Sequence, residues 1–168
     1  DRLDGIFITH GHEDHVGALG LLWSRLKAPI HTRRFTGALA RMKLEEAGQP
    51  TDRLRIVEPY PHVVEAGPFR VQFVPVSHSI PESAALVIDT PAGRIVHSGD
   101  FKLDGTPVVG EAFDPVLWHK IASEAPVAAL MCDSTNVFST HPGRSESALA
   151  QPLLEFVSAQ KQLVVATT

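Results

Sequence analysis

The sequence predicts an α/β fold built from stacked layers of β-sheet and α-helix, and three observations support this expectation. Short apolar runs typical of strands alternate with longer stretches whose apolar residues recur at helical spacing. Polar residues suited to metal binding follow several of the strand-like runs directly. The chain has 168 residues, of which 43% are hydrophobic, so it has enough apolar material for one folded domain and is not expected to be disordered.

The strand-like runs are rich in apolar and β-branched residues and are bounded by turn-forming residues. They cover residues 5–9, 29–31, 54–58, 69–75, 84–89, 94–97, 127–132 and 163–166. The connection Thr90-Pro-Ala-Gly93 combines Pro with Gly, so it predicts a hairpin between two of these strands.

Helical spacing of apolar residues predicts four helices. They cover residues 16–26, 36–47, 114–123 and 147–159. Pro152 is tolerated in the first turn of a helix but would kink a helix interior. The last helix is therefore expected to begin later than its apolar pattern suggests.

Metal-binding side chains are densest in the run Ile8-Thr9-His10-Gly11-His12-Glu13-Asp14-His15. In an extended segment, residues two apart face the same side, so His10 and His12 are expected to point at one metal ion. Asp14 and His15 fall where the next helix should begin and form a second, adjacent pair. The spacing predicts two metal ions side by side. The alternative is a polar turn in which Asp14 caps the helix and the histidines face water.

Later carboxylates and imidazoles also follow strand-like runs, as the remaining ligands of a two-metal site would. His78 comes just after residues 69–75, and Asp100 comes just after residues 94–97, beyond a glycine that permits a tight backbone path. Taken alone, each fits an ordinary loop or turn residue; together with the first run, both are predicted ligands. Asp133 ends the apolar run 127–132, and its chemistry leaves a functional role and a turn-capping role open. His97 should project to the opposite face from Asp100 and is not predicted as a ligand.

Composition limits the classes of partner and location. The 15 basic and 19 acidic residues give a net charge of −4, which argues against nucleic-acid binding by overall charge alone. Two divalent ions would add about +4 locally, so the site itself can attract an anion. Cys132 is the only cysteine, so a cytosolic setting is favoured, and its apolar context predicts a buried small side chain. No segment has the length of a membrane span or the pattern of a signal peptide.

Four groups of residues, taken in chain order, resemble the ribonuclease J family, which belongs to the β-CASP group of nucleases with the metallo-β-lactamase fold. They are Thr9-His-Gly-His-Glu-Asp-His15, His78-Ser-Ile-Pro81, Gly99-Asp-Phe-Lys102 with Thr106-Pro107, and Asp133-Ser-Thr-Asn136 with Ser145-Glu146. The first group is shared across the whole superfamily, and the other three select the ribonuclease.

The resemblance implies a partial metallo-β-lactamase domain, a four-layer αββα sandwich, over residues 1–168. The chain starts at Asp1 with a strand close behind it and stops inside a strand-like run, so both ends are expected to be truncations. The last residues would then lie near the entry to an inserted β-CASP domain.

Carried over position by position, the resemblance implies a full set of ligands. His10, His12 and His78 would hold one metal ion, Asp14 and His15 would hold the other, and Asp100 would bridge the two. Asp133 would orient a catalytic histidine that the family carries beyond the β-CASP insertion, so Asp14, Asp100 and Asp133 are the expected catalytic carboxylates. Imidazole and carboxylate ligands without thiolate suit zinc, with manganese as the alternative.

The leading hypothesis is a metal-dependent ribonuclease that hydrolyses RNA to 5′-phosphate and 3′-hydroxyl ends, in RNA processing and decay in the cytoplasm. The expected partner is RNA, and no membrane is expected. The first group of residues alone also permits a thioesterase or lactonase of the same fold. A third hypothesis is a metal-binding module without catalysis. The sequence leaves open the exonuclease-to-endonuclease balance and the oligomeric state, a homo-oligomer of the full-length protein included.

Overall fold

A computed structural model describes residues 3–141 and 143–162, and these residues form two β-sheets with helices on their outer faces. The first sheet contains β1 (Ile6–Phe7), β2 (Ile30–Thr32) and β3 (Leu54–Ile56), all parallel and in that order. The second sheet follows the order of the chain and contains β4 (Val64–Ala66), β5 (Phe69–Pro75), β6 (Ala84–Thr90), β7 (Gly93–His97) and β8 (Val127–Met131). Its pairs are antiparallel except for β7 with β8.

Helices connect these sheets and cover their outer faces, except the last helix, none of whose residues is buried. They are α1 (Glu13–Val16), α2 (Leu19–Leu26), α3 (Arg34–Glu46), α4 (Pro115–Glu124) and α5 (Ala150–Ser158), and a 3-10 turn at Glu146–Leu149 precedes the last. Neighbouring parallel strands need a crossover connection, and α1 to α3 supply the two crossovers of the first sheet. Asp114 caps α4 by accepting hydrogen bonds from the amides of Val116 and Leu117.

Three apolar clusters define four layers. Helices α2 and α3 pack on the first sheet, the two sheets pack on each other, and α4 packs on the far side of the second sheet. Representative residues of the three clusters, in that order, are Trp23, Ile30 and Leu44; Val57, Phe73 and Leu86; and Val74, Val87 and Ile121. The order of helix, sheet, sheet and helix confirms the predicted αββα sandwich.

Strands β5 and β6 are apolar on both faces because both faces are covered. Phe73 and Leu86 point towards the first sheet, whereas Val74 and Val87 point towards α4. Successive side chains of a strand alternate between faces, so consecutive apolar residues are needed where both faces are covered, as at 73–75 and 84–88. Arg70 and Gln72 interrupt the apolar pattern in the first half of β5.

The observed elements differ from the sequence predictions in two places. Strand β4 was not predicted, because it has only three residues, with a glutamate at its centre, and it ends at Gly67, whose φ of 59° makes the turn into β5. The single helix predicted at 16–26 is instead two helices. It breaks at Gly17, a poor helix former, and α1 already begins at Glu13. The strand predicted at 163–166 lies outside the described residues.

The prediction for Pro152 is confirmed. Helix α5 begins at Ala150, later than the apolar pattern at 147–159 suggested, and this start places Pro152 in the first turn. An amide hydrogen is not needed for the helical ladder there, so proline is accommodated.

The prediction of a buried Cys132 was wrong, because Cys132 is exposed. It directly follows β8, an edge strand whose residues are all exposed and which pairs with β7 alone among the described strands. An apolar sequence predicted the strand correctly, but it carries no information about what covers the strand. None of the described helices has the length and apolar character needed to cross a bilayer.

Phe73 should be a main contributor to the packing between the sheets, because it is fully buried and its ring centroid lies 6.2 Å from that of Phe7. We expect Phe73→Ala to lower the free energy of unfolding by about 3–5 kcal/mol, the usual cost of removing a buried aromatic side chain. Phe69→Ala is the matched control on the same strand; its side chain is 40% exposed, and the loss should stay below about 1 kcal/mol. Amide hydrogen exchange of β5 and β6 in the full-length protein measures both, and equal losses would contradict the assignment.

Candidate metal centre

Three loops meet at one edge of the two sheets. They are the segment between β1 and α1, the loop that follows β5, and the turn that follows β7. Backbone hydrogen bonds join them: Ala84 donates to the carbonyl of Thr9 at 3.0 Å, and Lys102 donates to the carbonyl of Ser77 at 2.7 Å. Residues far apart in sequence are thereby brought to one place.

Three histidines from two of these loops converge. The Nδ1 atom of His12 lies 3.1 Å from Nε2 of His10 and 3.1 Å from Nε2 of His78. His10 and His12 converge as their spacing predicted, although the segment is an extended loop rather than a strand, and His12 is the residue before the first turn of α1. One donor atom of each of the three histidines lies within 4.8 Å of the others.

The spacing of the nitrogens fits a metal ion. A tetrahedral zinc with Zn–N bonds of about 2.0–2.1 Å has its nitrogens about 3.3 Å apart, close to the two observed separations of 3.1 Å. Nδ1 of His12 faces two other ring nitrogens, and one nitrogen cannot form a well-aligned hydrogen bond with both. A shared cation accounts for all three nitrogens at once.

A second group overlaps the first. It contains His10, His15 and Asp100, with donor atoms again within 4.8 Å of one another. Nε2 of His15 lies 3.5 Å from one oxygen of Asp100, whose other oxygen lies 3.9 Å from both His10 and His78. The carboxylate of Asp100 is therefore positioned between the two groups.

Asp14 lies beside the second group but is not one of its members. Its carboxylate is 3.5 Å from Nε2 of His15, and its side chain is 76% exposed. The structure thus brings together five of the predicted ligands, His10, His12, His15, His78 and Asp100, and places the sixth at the solvent side of His15.

Burial keeps the inner histidines in the form that binds metal. Burial of His10, aided by the positive charges of neighbouring histidines, lowers its pKa to about 4. Burial and the nearby His12 also lower the pKa of His78. A metal-binding imidazole must be neutral, so both groups offer a free lone pair at neutral pH.

Thr9 orients His10, a role that sequence reasoning did not assign. The Thr9 Oγ1 lies 3.1 Å from Nδ1 of His10. With the ring proton on Nδ1, donated to Thr9, the lone pair of His10 is on Nε2, which faces the other donors. Thr9 is adjacent to His10 in the sequence, but only the fold shows that its hydroxyl reaches the ring.

Gly99 allows the loop of Asp100 to approach the loop of His10. Its φ is 59°, and a Cβ added there would lie 2.7 Å from the carbonyl oxygen of Ala84 and 3.3 Å from Cβ of Thr9. Its amide donates to Nδ1 of His97 at 3.0 Å. His97 is absent from the ligand groups found among the described residues, and its contact with Gly99 supports the turn that presents Asp100.

Asp133 lies next to the metal centre and caps its own turn. Its carboxylate accepts hydrogen bonds from the amide and the hydroxyl of Thr135, and these bonds lower the pKa of Asp133. Its backbone amide donates to Ser98 Oγ at 2.9 Å, one residue before Gly99. The capping role that the sequence left open is present, and the carboxylate is also close enough to His78 for each charge to influence the other.

Comparison with known proteins points to one superfamily. The family model described as "Metallo-beta-lactamase superfamily" matches residues 1–145. The chain is 39% identical over 165 residues to ribonuclease J of Corynebacterium glutamicum, covering 98% of this chain and 23% of that protein. It is 37% identical over 167 residues to ribonuclease J of Sinorhizobium meliloti, covering 99% of this chain and 29% of that protein. The chain therefore spans about a quarter of the length of these relatives.

The fold also resembles that of a solved structure. A protein of unknown function from Enterococcus faecalis V583 superposes with a TM-score of 0.59 and 19% identity, over 92% of this chain and 38% of that chain. At this level of identity the likeness concerns the fold alone.

The depressed pKa of His10 makes the stability of the metal-free protein depend on pH. Unfolded His10 takes up a proton near pH 6.5, whereas folded His10 does so only near pH 4. The unfolded state binds more protons in this window, so the free energy of unfolding should fall as the pH is lowered from 6.5 towards 4. His10→Asn should reduce this slope without abolishing it, because the pKa values of His78 and His31 are lowered as well. Urea denaturation of the chelator-treated full-length protein tests this, and an unchanged slope would contradict it.

Substitution of Gly99 should disturb the second ligand group. Gly99→Ala places a methyl group against the carbonyl of Ala84, so Asp100 must shift away from His10 and His15. We expect weaker metal binding, by about 10- to 100-fold, as for other changes in the shell that supports the ligands. The matched control is Gly48→Ala, because Gly48 also has a positive φ, of 64°, but nothing within 4 Å of the added Cβ. Metal titration of both variants distinguishes them, and equal affinities would be evidence against this role of Gly99.

Proposed function

The chain belongs to the metallo-β-lactamase superfamily, and we propose that it carries the metal centre of a ribonuclease that hydrolyses phosphodiester bonds of RNA. The observation that carries this proposal is the pair of overlapping donor groups at one edge of the sheets. The similarity to proteins named ribonuclease J, which extends over nearly the whole chain, supports RNA as the substrate. The activity belongs to the full-length protein.

We assign the ligands of two divalent ions as follows. His10, His12 and His78 would hold one ion, and Asp14 and His15 would hold the other. Asp100 would contribute to both sites, which is consistent with its position between the two donor groups. The carboxylate of Asp14 is exposed and already lies 3.5 Å from Nε2 of His15, which supports its inclusion in the second site.

The donor set favours zinc, with manganese as the alternative. The candidate ligands are imidazoles and carboxylates, and the one cysteine, Cys132, is not among the grouped donors of the described residues. We include a cytoplasmic location in the proposal, because RNA is the proposed substrate.

Divalent ions bound there would lower the pKa of water from 15.7 towards about 7 and offset the negative charge that develops on a phosphoryl group. The residues of the chain provide the rest of the environment. His10 and His78 stay neutral because they are buried, so they do not compete for protons with the attacking water. Asp100 offers an acceptor oxygen towards each donor group and orients that water by accepting its hydrogen bond.

Attack of the water oxygen on phosphorus breaks the bond to O3′. One product then carries a 5′-phosphate, and the other carries a 3′-hydroxyl after O3′ receives a proton. We propose that a histidine elsewhere in the full-length protein donates this proton and that Asp133 orients it. Asp133 is suited to this role because its charge lies near His78 while its backbone is fixed through Ser98.

The proposal is tested with the full-length protein and a 5′-monophosphorylated RNA. Asp100→Asn should lower the cleavage rate by at least about 100-fold, because it removes a charged group at the reacting atoms. Asp52→Asn, which changes an exposed aspartate before β3, should leave the rate within about twofold of wild type. Mass spectrometry of the products should find 5′-phosphate and 3′-hydroxyl ends.

Two results would overturn the proposal. Equal cleavage rates for wild type and Asp100→Asn would remove the assigned mechanism. Hydrolysis of a thioester or lactone without cleavage of RNA would assign the same metal centre to a different substrate class.

A further inference from the structure

Hydrogen bonds of Glu146 link the loop that follows Asp100 to the segment that follows Asp133. Its carboxylate accepts a hydrogen bond from Nζ of Lys102 at 2.7 Å and others from the amides of Val108 and Val109 at 3.1 and 3.4 Å. Its own amide donates to Asp104 Oδ2 at 2.8 Å. These bonds join residues more than 35 positions apart in the sequence, and none of them involves a candidate metal ligand.

A cavity of about 450 Å³ lies between the two fastened segments. Its polar walls are formed by Lys102 and Asp104 on one side and by Asn136, Arg144 and Ser145 on the other. The Glu146 contacts and the hydrogen bond of 2.7 Å between the hydroxyls of Thr106 and Ser145 hold these walls together. The cavity is therefore a fixed feature of this part of the fold.

The cavity adjoins the metal centre. Lys102 comes two residues after Asp100, and its amide donates to the carbonyl of Ser77, the residue before His78. Phe101, the residue that follows Asp100, also lines the cavity. The cavity therefore begins beside the loop that carries Asp100.

One cationic side chain of the cavity wall lacks an ionic partner within the described part of the chain. Glu146 pairs with Lys102, and buried Asp104 accepts hydrogen bonds from the amides of Thr106 and Glu146. Arg144, in contrast, is exposed and has no ion-pair or hydrogen-bond partner among the described residues. The side-chain amide of Asn136 on the same wall is likewise without a partner in the described part of the chain.

We infer that this cavity is a subsite for a backbone phosphate of the RNA, outside the scissile bond, with the guanidinium of Arg144 as its principal ligand and the amide of Asn136 as a neutral donor. The inference rests on the proposed function. A guanidinium matches two phosphate oxygens at once, which a lysine ammonium does not. A polymeric nucleic acid supplies such a phosphate at every nucleotide, whereas a simple lactone has none.

A phosphate contact has a recognisable signature. Its loss weakens binding equally for RNAs of different sequence, and it reduces the slope of log affinity against log salt by about 0.7 for a single strand. We expect Arg144→Ala to weaken binding about tenfold, the effect of losing a charge-assisted hydrogen bond. Arg144→Lys should fall between Arg144→Ala and wild type, because it keeps the charge but not the two-oxygen geometry.

The test measures the affinity of the full-length protein for fluorescent single-stranded RNAs of two compositions across a salt series. The Asp100→Asn background is used so that the RNA stays intact. Arg25→Ala is the control, because Arg25 is an exposed arginine on α2, in the opposite outer layer, and its loss changes the net charge equally. Circular dichroism verifies that the variants are folded.

A tenfold loss of affinity with a flatter salt dependence in Arg144→Ala, and neither in Arg25→Ala, supports the subsite. Equal affinities and equal slopes for these two variants overturn it. So does a loss confined to one RNA composition, which would indicate a base contact. Failure of the proposed function is read separately, from the absence of RNA cleavage by the wild-type protein, whereas the subsite is judged by binding alone.

Discussion

The arrangement at the sheet edge depends on the approach of two imidazole nitrogens, from His10 and His78, to within 3.1 Å of Nδ1 of His12. The carboxylate of Asp100 lies beside them. Lone pairs that face each other are unfavourable unless positive charge lies between them, so this geometry makes chemical sense as a ligand shell. The surrounding fold holds these side chains in position. The hydrogen bond from Ala84 to Thr9 and the tight turn at Gly99 bring the contributing loops together, and the four packed layers hold the strands from which the loops emerge.

Most of the ligand set was predictable, because each ligand directly follows a strand-like run and the spacing of His10 and His12 fixes their common direction. The support of the site was not predictable in the same way. The roles of Thr9 and Gly99 depend on contacts with residues elsewhere, above all the carbonyl of Ala84, and no local pattern encodes such a contact. The position of Asp14, beside His15 but outside the grouped donors, also depends on a side-chain conformation that its place in the run leaves undetermined.

The elements of the fold were likewise predictable in part. Strands β5 and β6 were predictable because burial on both faces makes much of their length apolar, above all residues 84–88. The short strand β4 was not, since three residues are too few to show a period. Cys132 shows the opposite error: an apolar neighbourhood suggested burial, yet burial depends on a neighbouring element that the sequence of the strand does not specify.

The candidate donors differ greatly in solvent exposure, so one side of the centre is buried and the other is open. His10 is entirely covered, the side chain of His15 is 27% exposed, and that of Asp14 is 76% exposed. The side chain of Asp100, on the turn after β7, is 35% exposed, so solvent reaches the centre from the side of Asp14, His15 and Asp100. An ion held on that side would exchange with bulk solution more readily than one held by the inner histidines, so the two positions would differ in lability even if their intrinsic affinities were the same.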